Sequence, residues 1–125
     1  MSTESGAYCD ALKLKAEGKY REAIAELQSI LDRGIGNPGF TNWRLAALYM
    51  YELEQPTTAY PFAAVAVKEA PISERASVCL VHCLSALGDD EAVDAEIRRF
   101  VATGAELREY QQLFEENGLT VADYT

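Results

Sequence analysis

Few of the side chains on which most enzyme chemistry depends occur in this sequence of 125 residues. There is one histidine, His82, and there are three cysteines and one tryptophan. No nucleophile elbow and no phosphate-cradling glycine loop is present, so catalysis finds no support in the sequence. Neither a cofactor nor a bound metal is expected. An odd number of cysteines does not make a disulfide framework, and a reducing, cytoplasmic setting is the simplest expectation. Long apolar runs are also lacking. The longest uncharged stretches, "QPTTAYPFAAVAV" and "ASVCLVHCLSALG", fall well short of the roughly 20 residues that cross a bilayer, and the first carries two prolines. Met1–Gly6, "MSTESG", has neither a basic start nor an apolar continuation, and no signal peptide is expected there.

Positive charge is scarce and unevenly placed. Eleven bases face twenty acids, a net charge of −9. Residues 1–51 balance at six of each, so the whole excess falls in residues 52–125, with fourteen acids against five bases. That half repels nucleic acid and anionic membrane surfaces, which excludes both as expected partners. It is either a solvated, solubilising face or a docking face for a basic partner.

What the chain does have is helical periodicity and regular punctuation. In "EGKYREAIAELQSIL" (Glu17 to Leu31), Gly18 ends one helix, and Ala23, Ile24, Leu27, Ile30 and Leu31 form the apolar stripe of the next. Similar breakers predict helices at about 6–17, 20–33, 40–53, 58–69, 73–87, 90–103 and 105–117, with no strand. Ser73 and Asp90 are candidate N-caps, and Thr103 with Glu106 has capping-box spacing. With Thr58 as a cap, Pro61 falls in a first turn, where its missing N–H has no intrahelical partner to lose. Gly118 suits a left-handed helix end, with Leu119 folding back onto the final turn.

The junction "GKYREAI" (Gly18 to Ile24) recurs as "EQPTTAY" (Glu54 to Tyr60) and "GDDEAV" (Gly88 to Val93). Aligned on Ala23, Ala59 and Ala92, the spacings are 36 and 33 residues. With two helices per copy, the sequence resembles the tetratricopeptide repeat family over roughly residues 6–103. The middle copy matches best, with Trp43, Ala47, Ala59, Ala66 and Pro71 at the family's characteristic positions. The first copy has Ala7 where a bulky residue is usual, and the third places Arg99 or Phe100 where a small one is expected. The resemblance implies an all-α fold of three tetratricopeptide-like antiparallel helix pairs (about 6–36, 40–71 and 73–103), stacked as a short right-handed superhelix. Helix 105–117, with Leu107, Tyr110 and Phe114 on one stripe, reads as the cap an open stack needs. Residues 1–5 then form a flexible N-terminus, 6–118 one helical-repeat domain and 119–125 a C-terminal tail. Trp43, beside Ala47, is expected to be mostly buried.

In this family the first helix of each pair lines a concave face. The resemblance puts Tyr8, Leu12 and Lys15 there, then Arg44, Leu48 and Tyr51, and approximately Val78, His82 and Ser85. Tyr8, Leu12 and Leu45 stand where the family's carboxylate-clamping residues would be, so that binding mode is not implied. An apolar and aromatic face with two bases suits an extended or helical peptide with apolar anchors. The alternative is that Leu12 and Leu48 are core and the groove is shallow.

Two other features carry alternatives. In "CLVHC", Cys79, His82 and Cys83 share a helix face and could form a thiol or metal site. Small buried cysteines explain the same residues, since free cysteine is among the most buried types. "AYPFAAVAV" (Ala59 to Val67) is uncharged all round, which implies burial on more than one side, by the fold itself or by a homo-oligomer contact. The expected function is protein–protein interaction without catalysis: an adaptor, scaffold or small chaperone that takes a peptide or amphipathic helix of a partner in the concave groove.

Overall fold

The computed structural model describes residues 4–125, and Met1–Thr3, part of the segment expected to be flexible, lie outside the described residues. Among the described residues there are seven α-helices and no strand. They are α1 (Glu4–Ala16), α2 (Tyr20–Asp32), α3 (Pro38–Ala47), α4 (Pro56–Glu69), α5 (Glu74–Ala86), α6 (Asp90–Ala102) and α7 (Glu109–Glu116). Each of the first six packs on its neighbours in the chain, and α3–α5 and α5–α7 also meet directly.

Apolar spacing explains the order of packing. In α2 the stripe Ala23, Leu27 and Ile30 is buried against Ala11 of α1 and Leu45 and Leu48 at the end of α3. A second cluster joins α3, α4 and α5 through Ala46, Ala59, Ala63, Ala66, Cys79 and Cys83. Alanine at three contact positions of α4 lets its neighbours approach closely. A third cluster, with Ile97, Phe100, Tyr110 and Phe114, joins α5, α6 and α7. Each cluster draws on adjacent helices, so the core runs along the molecule as successive layers.

Helix ends follow local chemistry, with instructive departures from expectation. Ser73 caps α5, its Oγ accepting from Ala76 N at 3.2 Å. The cap of α6 is Asp89 rather than Asp90, because Asp90 is already helical and the Asp89 carboxylate accepts from Ala92 N at 3.1 Å. In α4 it is Pro56 that sits in the first turn, and Pro61 lies a turn further in. The carbonyl of Thr57, which loses its helical donor there, belongs to an exposed residue and is open to water. Thr103 and Glu106 form no capping box. Thr103 Oγ1 instead donates to Phe100 O at 2.6 Å and accepts from Ala105 N, so the chain turns there and α7 begins only at Glu109.

The start of α7 is held from a distance. Both carboxylate oxygens of Glu74, at the beginning of α5, accept the backbone N–H groups of Arg108, Glu109 and Tyr110 at 2.9–3.1 Å. Beneath this cap lies a polar network. Ser77 Oγ donates to Glu96 Oε2 at 2.6 Å, so at 2.7 Å it is Tyr110 that donates its hydroxyl proton to Ser77. Arg99 grips the buried Glu96 through Nε and Nη2 at 2.8 and 2.7 Å. Burial pushes the Tyr110 phenol pKa upward and keeps it a donor. After Gly118, whose φ is +67°, Leu119 N bonds Phe114 O at 2.8 Å, as the left-handed ending requires. Residues 121–124 make a single 3-10 turn, and Tyr124 stacks on Phe114 with centroids 5.1 Å apart. The C-terminal tail is therefore packed onto the third layer.

Candidate functional site

The seven residues expected to line the groove fall into two adjoining groups. Tyr8, Leu12 and Lys15 of α1 meet Arg44 and Leu48 around one small, shallow hollow, together with Ala11, Leu27, Phe40 and Ala47. Leu48 is 3% exposed and belongs to the core, so it forms the floor. Leu12 is 40% exposed and stands at the rim. The question of whether these leucines are core or surface thus divides between them.

Local structure sets each wall. Tyr8 is positioned by its hydrogen bond to Thr41 Oγ1. Since the Thr41 hydroxyl gives its own proton to Asn37 O at 3.0 Å, Tyr8 is the donor. Its ring meets Phe40 edge-on at 5.0 Å. Gly36, with φ +76°, is needed here twice over, because a Cβ at that position would also collide with the Tyr8 ring. Phe40 and Arg44 are one turn apart on α3, and the guanidinium lies over Phe40 at 5.3 Å and over Trp43 at 4.6 Å. Trp43 is mostly buried, as expected, without being fully enclosed: one side packs on the second core layer while Arg44 and Arg75 stand over its ring.

Tyr51 and His82 form the second group. After Ala47 the helix widens into one π-turn, Leu48–Glu52, with Leu53 N reaching back to Leu48 O at 3.0 Å. The wider turn re-aims the residues that follow, a device frequent at functional sites. Tyr51 is 46% exposed and its hydroxyl lies 2.7 Å from His82 Nδ1, with the rings edge-to-face at 5.6 Å. Burial lowers the His82 pKa and, with smaller contributions from Cys79, raises that of Tyr51, so both are neutral near pH 7. His82 also borders an open pocket with Val78 and with Glu109, Gln112, Leu113 and Glu116 of α7. Of the approximate third-copy positions, Val78 is buried and Ser85 is exposed outside that pocket.

The "CLVHC" residues part company. Cys79 and Cys83 lie in the second core layer, and the hydrogen bond to Cys83, followed by burial, raises the Cys79 pKa, which disfavours a reactive thiolate. His82 turns to Tyr51 instead. Among the described residues no group of three or more histidine, cysteine or carboxylate side chains is placed to hold a metal ion.

Two contributors escaped the sequence reading. Phe40 had a legible signal, being four residues before Arg44 on the same face. Arg75 had a weaker one, three residues before Val78 and seven before His82. Its approach to Trp43, with Cζ 5.6 Å from the ring centroid, depends on the packing of α3 against α5. No helix of the described residues is long and apolar enough to cross a membrane. In comparison with known proteins, no family model, curated protein or solved structure matches the chain.

Proposed function

We propose that this chain is a non-catalytic protein-interaction module of tetratricopeptide-like build, a cytoplasmic adaptor, scaffold or small chaperone. In this reading α1–α2, α3–α4 and α5–α6 are three stacked repeats, α7 is the capping helix, and α1, α3 and α5 line a concave groove that takes a peptide or amphipathic helix. The observation that carries it is the pocket between α1 and α3. Five residues selected from repeat register alone, Tyr8, Leu12, Lys15, Arg44 and Leu48, surround one apolar hollow. An apolar floor, an aromatic wall and an exposed leucine rim are the parts of an anchor pocket. In this reading Tyr51 continues the groove toward His82.

Affinity capture with the intact chain tests this reading. A polypeptide partner is expected to be retained by the wild type and weakened by about 1–3 kcal/mol in Leu12→Asp and in Tyr51→Ala. Leu12 is substantially exposed, so Leu12→Asp should barely change the melting temperature, while Tyr51→Ala, which also loses the His82 hydrogen bond, should lower it modestly.

A second reading is favoured by one feature of α4. Ala59, Ala63, Ala66 and Val67 are buried, but Tyr60 and Val65 on the outer side are 40% and 41% exposed. If Tyr60→Asp with Val65→Asp abolished association while the Leu12 and Tyr51 variants bound normally, this convex face would be the contact and the groove reading would fail.

A further inference from the structure

Two arginines from different helices meet at Trp43. Among the described residues Arg98, Arg99 and Arg108 each pair with a carboxylate, while Lys68 pairs with none and neither do Arg44 and Arg75. Both stand over the Trp43 ring, with Cζ 5.6 and 4.6 Å from its centroid. Burial and, after it, repulsion from Arg75 lower the Arg44 pKa. Arg44 Nε is shut off from solvent without a hydrogen-bond acceptor. Glu69 is the carboxylate residue whose Cβ lies near the start of α3, and it forms no ion pair with either arginine.

Each guanidinium is attracted by the Trp43 ring, but the two repel each other and Arg44 is partly desolvated, so an anion beside them is favoured. A chain with nine excess negative charges could have placed an acid there and has not. The pair also adjoins the anchor pocket: Phe40 lines both that pocket and a second, open hollow that includes Trp43 and Arg75. The N-cap residues of α3 and α5, Asn37 and Ser73, border this second hollow and add partial positive charge without carrying the argument.

We propose that Arg44 and Arg75, braced on Trp43, form a carboxylate-reading site for an aspartate or glutamate side chain of a partner segment whose neighbouring apolar residue enters the Tyr8–Leu12–Leu48 pocket. This rests on the groove reading above and names the chemistry of its occupant. The planar guanidinium favours it, because carboxylates are held by charge-assisted, often bidentate hydrogen bonds. Trp43 is the one tryptophan, so its fluorescence reports occupancy directly.

The test uses the full chain, immobilised, and a displayed library of random twelve-residue peptides. The expected result is enrichment of peptides carrying Asp or Glu within a few residues of a large apolar side chain. A selected peptide, synthesised, should change Trp43 fluorescence. It should bind about tenfold more weakly to Arg75→Gln and to Arg44→Gln, with the loss reduced at high salt. The double reversal Arg44→Glu with Arg75→Glu, once shown to melt like the wild type, should select Lys or Arg in place of the acid. If that double variant does not fold, the two single glutamine variants decide the matter. Enriched peptides that keep an apolar anchor but show no acidic preference, or whose binding ignores both arginines, overturn the carboxylate site and leave the groove standing. No enrichment, or binding indifferent to Leu12→Asp, overturns the groove and the site together.

Discussion

The two ends of the molecule are built differently. Between α1 and α3 there is an open hollow: its floor is apolar, a leucine stands at the rim, and two arginines lie nearby without an ion pair. At the other end α5 is packed against α7, which the Glu74 cap and the Ser77–Glu96–Tyr110 network tie down. The difference separates two uses of polar groups. At the α7 end every buried polar atom of the network has a partner, so burial of Glu96 is offset by Ser77 and Arg99. At the α1–α3 end charge is left without an ion pair beside an apolar hollow and is held on aromatic rings instead.

The largest expected effect lies at the covered end. Tyr110 is fully buried, so Tyr110→Ala should lower unfolding free energy by about 3–5 kcal/mol in a denaturant titration, through cavity formation and loss of the Ser77 contact. A loss below about 1 kcal/mol would mean that α7 is not part of the cooperative core and would collapse the contrast.

The next is more selective. Glu74→Ala removes the acceptor for three backbone N–H groups of the α7 start and should cost about 1–2 kcal/mol. Hydrogen exchange should accelerate in residues 109–116 while α2 and α3 keep their protection. Uniform acceleration along the chain would show instead that the layers unfold as one and that Glu74 has no local role.

The smallest is a pH dependence at the boundary of the two ends. His82 is the one histidine, and burial lowers its pKa in the folded state despite Glu109 and Glu116 bordering the same pocket. The unfolded chain therefore binds a proton first as pH falls. Stability should be complete above the ordinary value near 6.5 and decline below it, with a slope no steeper than about 1.4 kcal/mol per pH unit. His82→Gln should flatten the curve between pH 7 and 6. A wild-type curve already flat there would place His82 in free exchange with water.

Several of these features could be read from the chain and several could not. The α2 stripe, the Ser73 cap and the return of Leu119 onto Phe114 depend on residues within one or two turns, and spacing reveals them. The α7 cap does not, because Glu74 is more than thirty residues from the N–H groups it accepts. Trp43 suggested a core residue by size and position and is mostly buried, but that two arginines from different helices stand over its ring depends on how α3 and α5 pack. The capping box expected at Thr103 and Glu106 gave way when the Thr103 hydroxyl found the Phe100 carbonyl.

Local pattern thus determined that this protein is a succession of short helices, where most of them begin and end, and that Tyr8, Leu12 and Lys15 share one stripe of α1 as Arg44 and Leu48 share one near the end of α3. Those are consequences of the 3.6-residue period and of capping chemistry, which act over a few residues. Tertiary packing alone decided that Leu48 is floor while Leu12 is rim, that Cys79 and Cys83 enter the core while His82 meets Tyr51, and that Arg44 and Arg75 converge on one indole. Burial and the meeting of charges depend on which helices come together, and a single helix carries no record of its neighbours' distances.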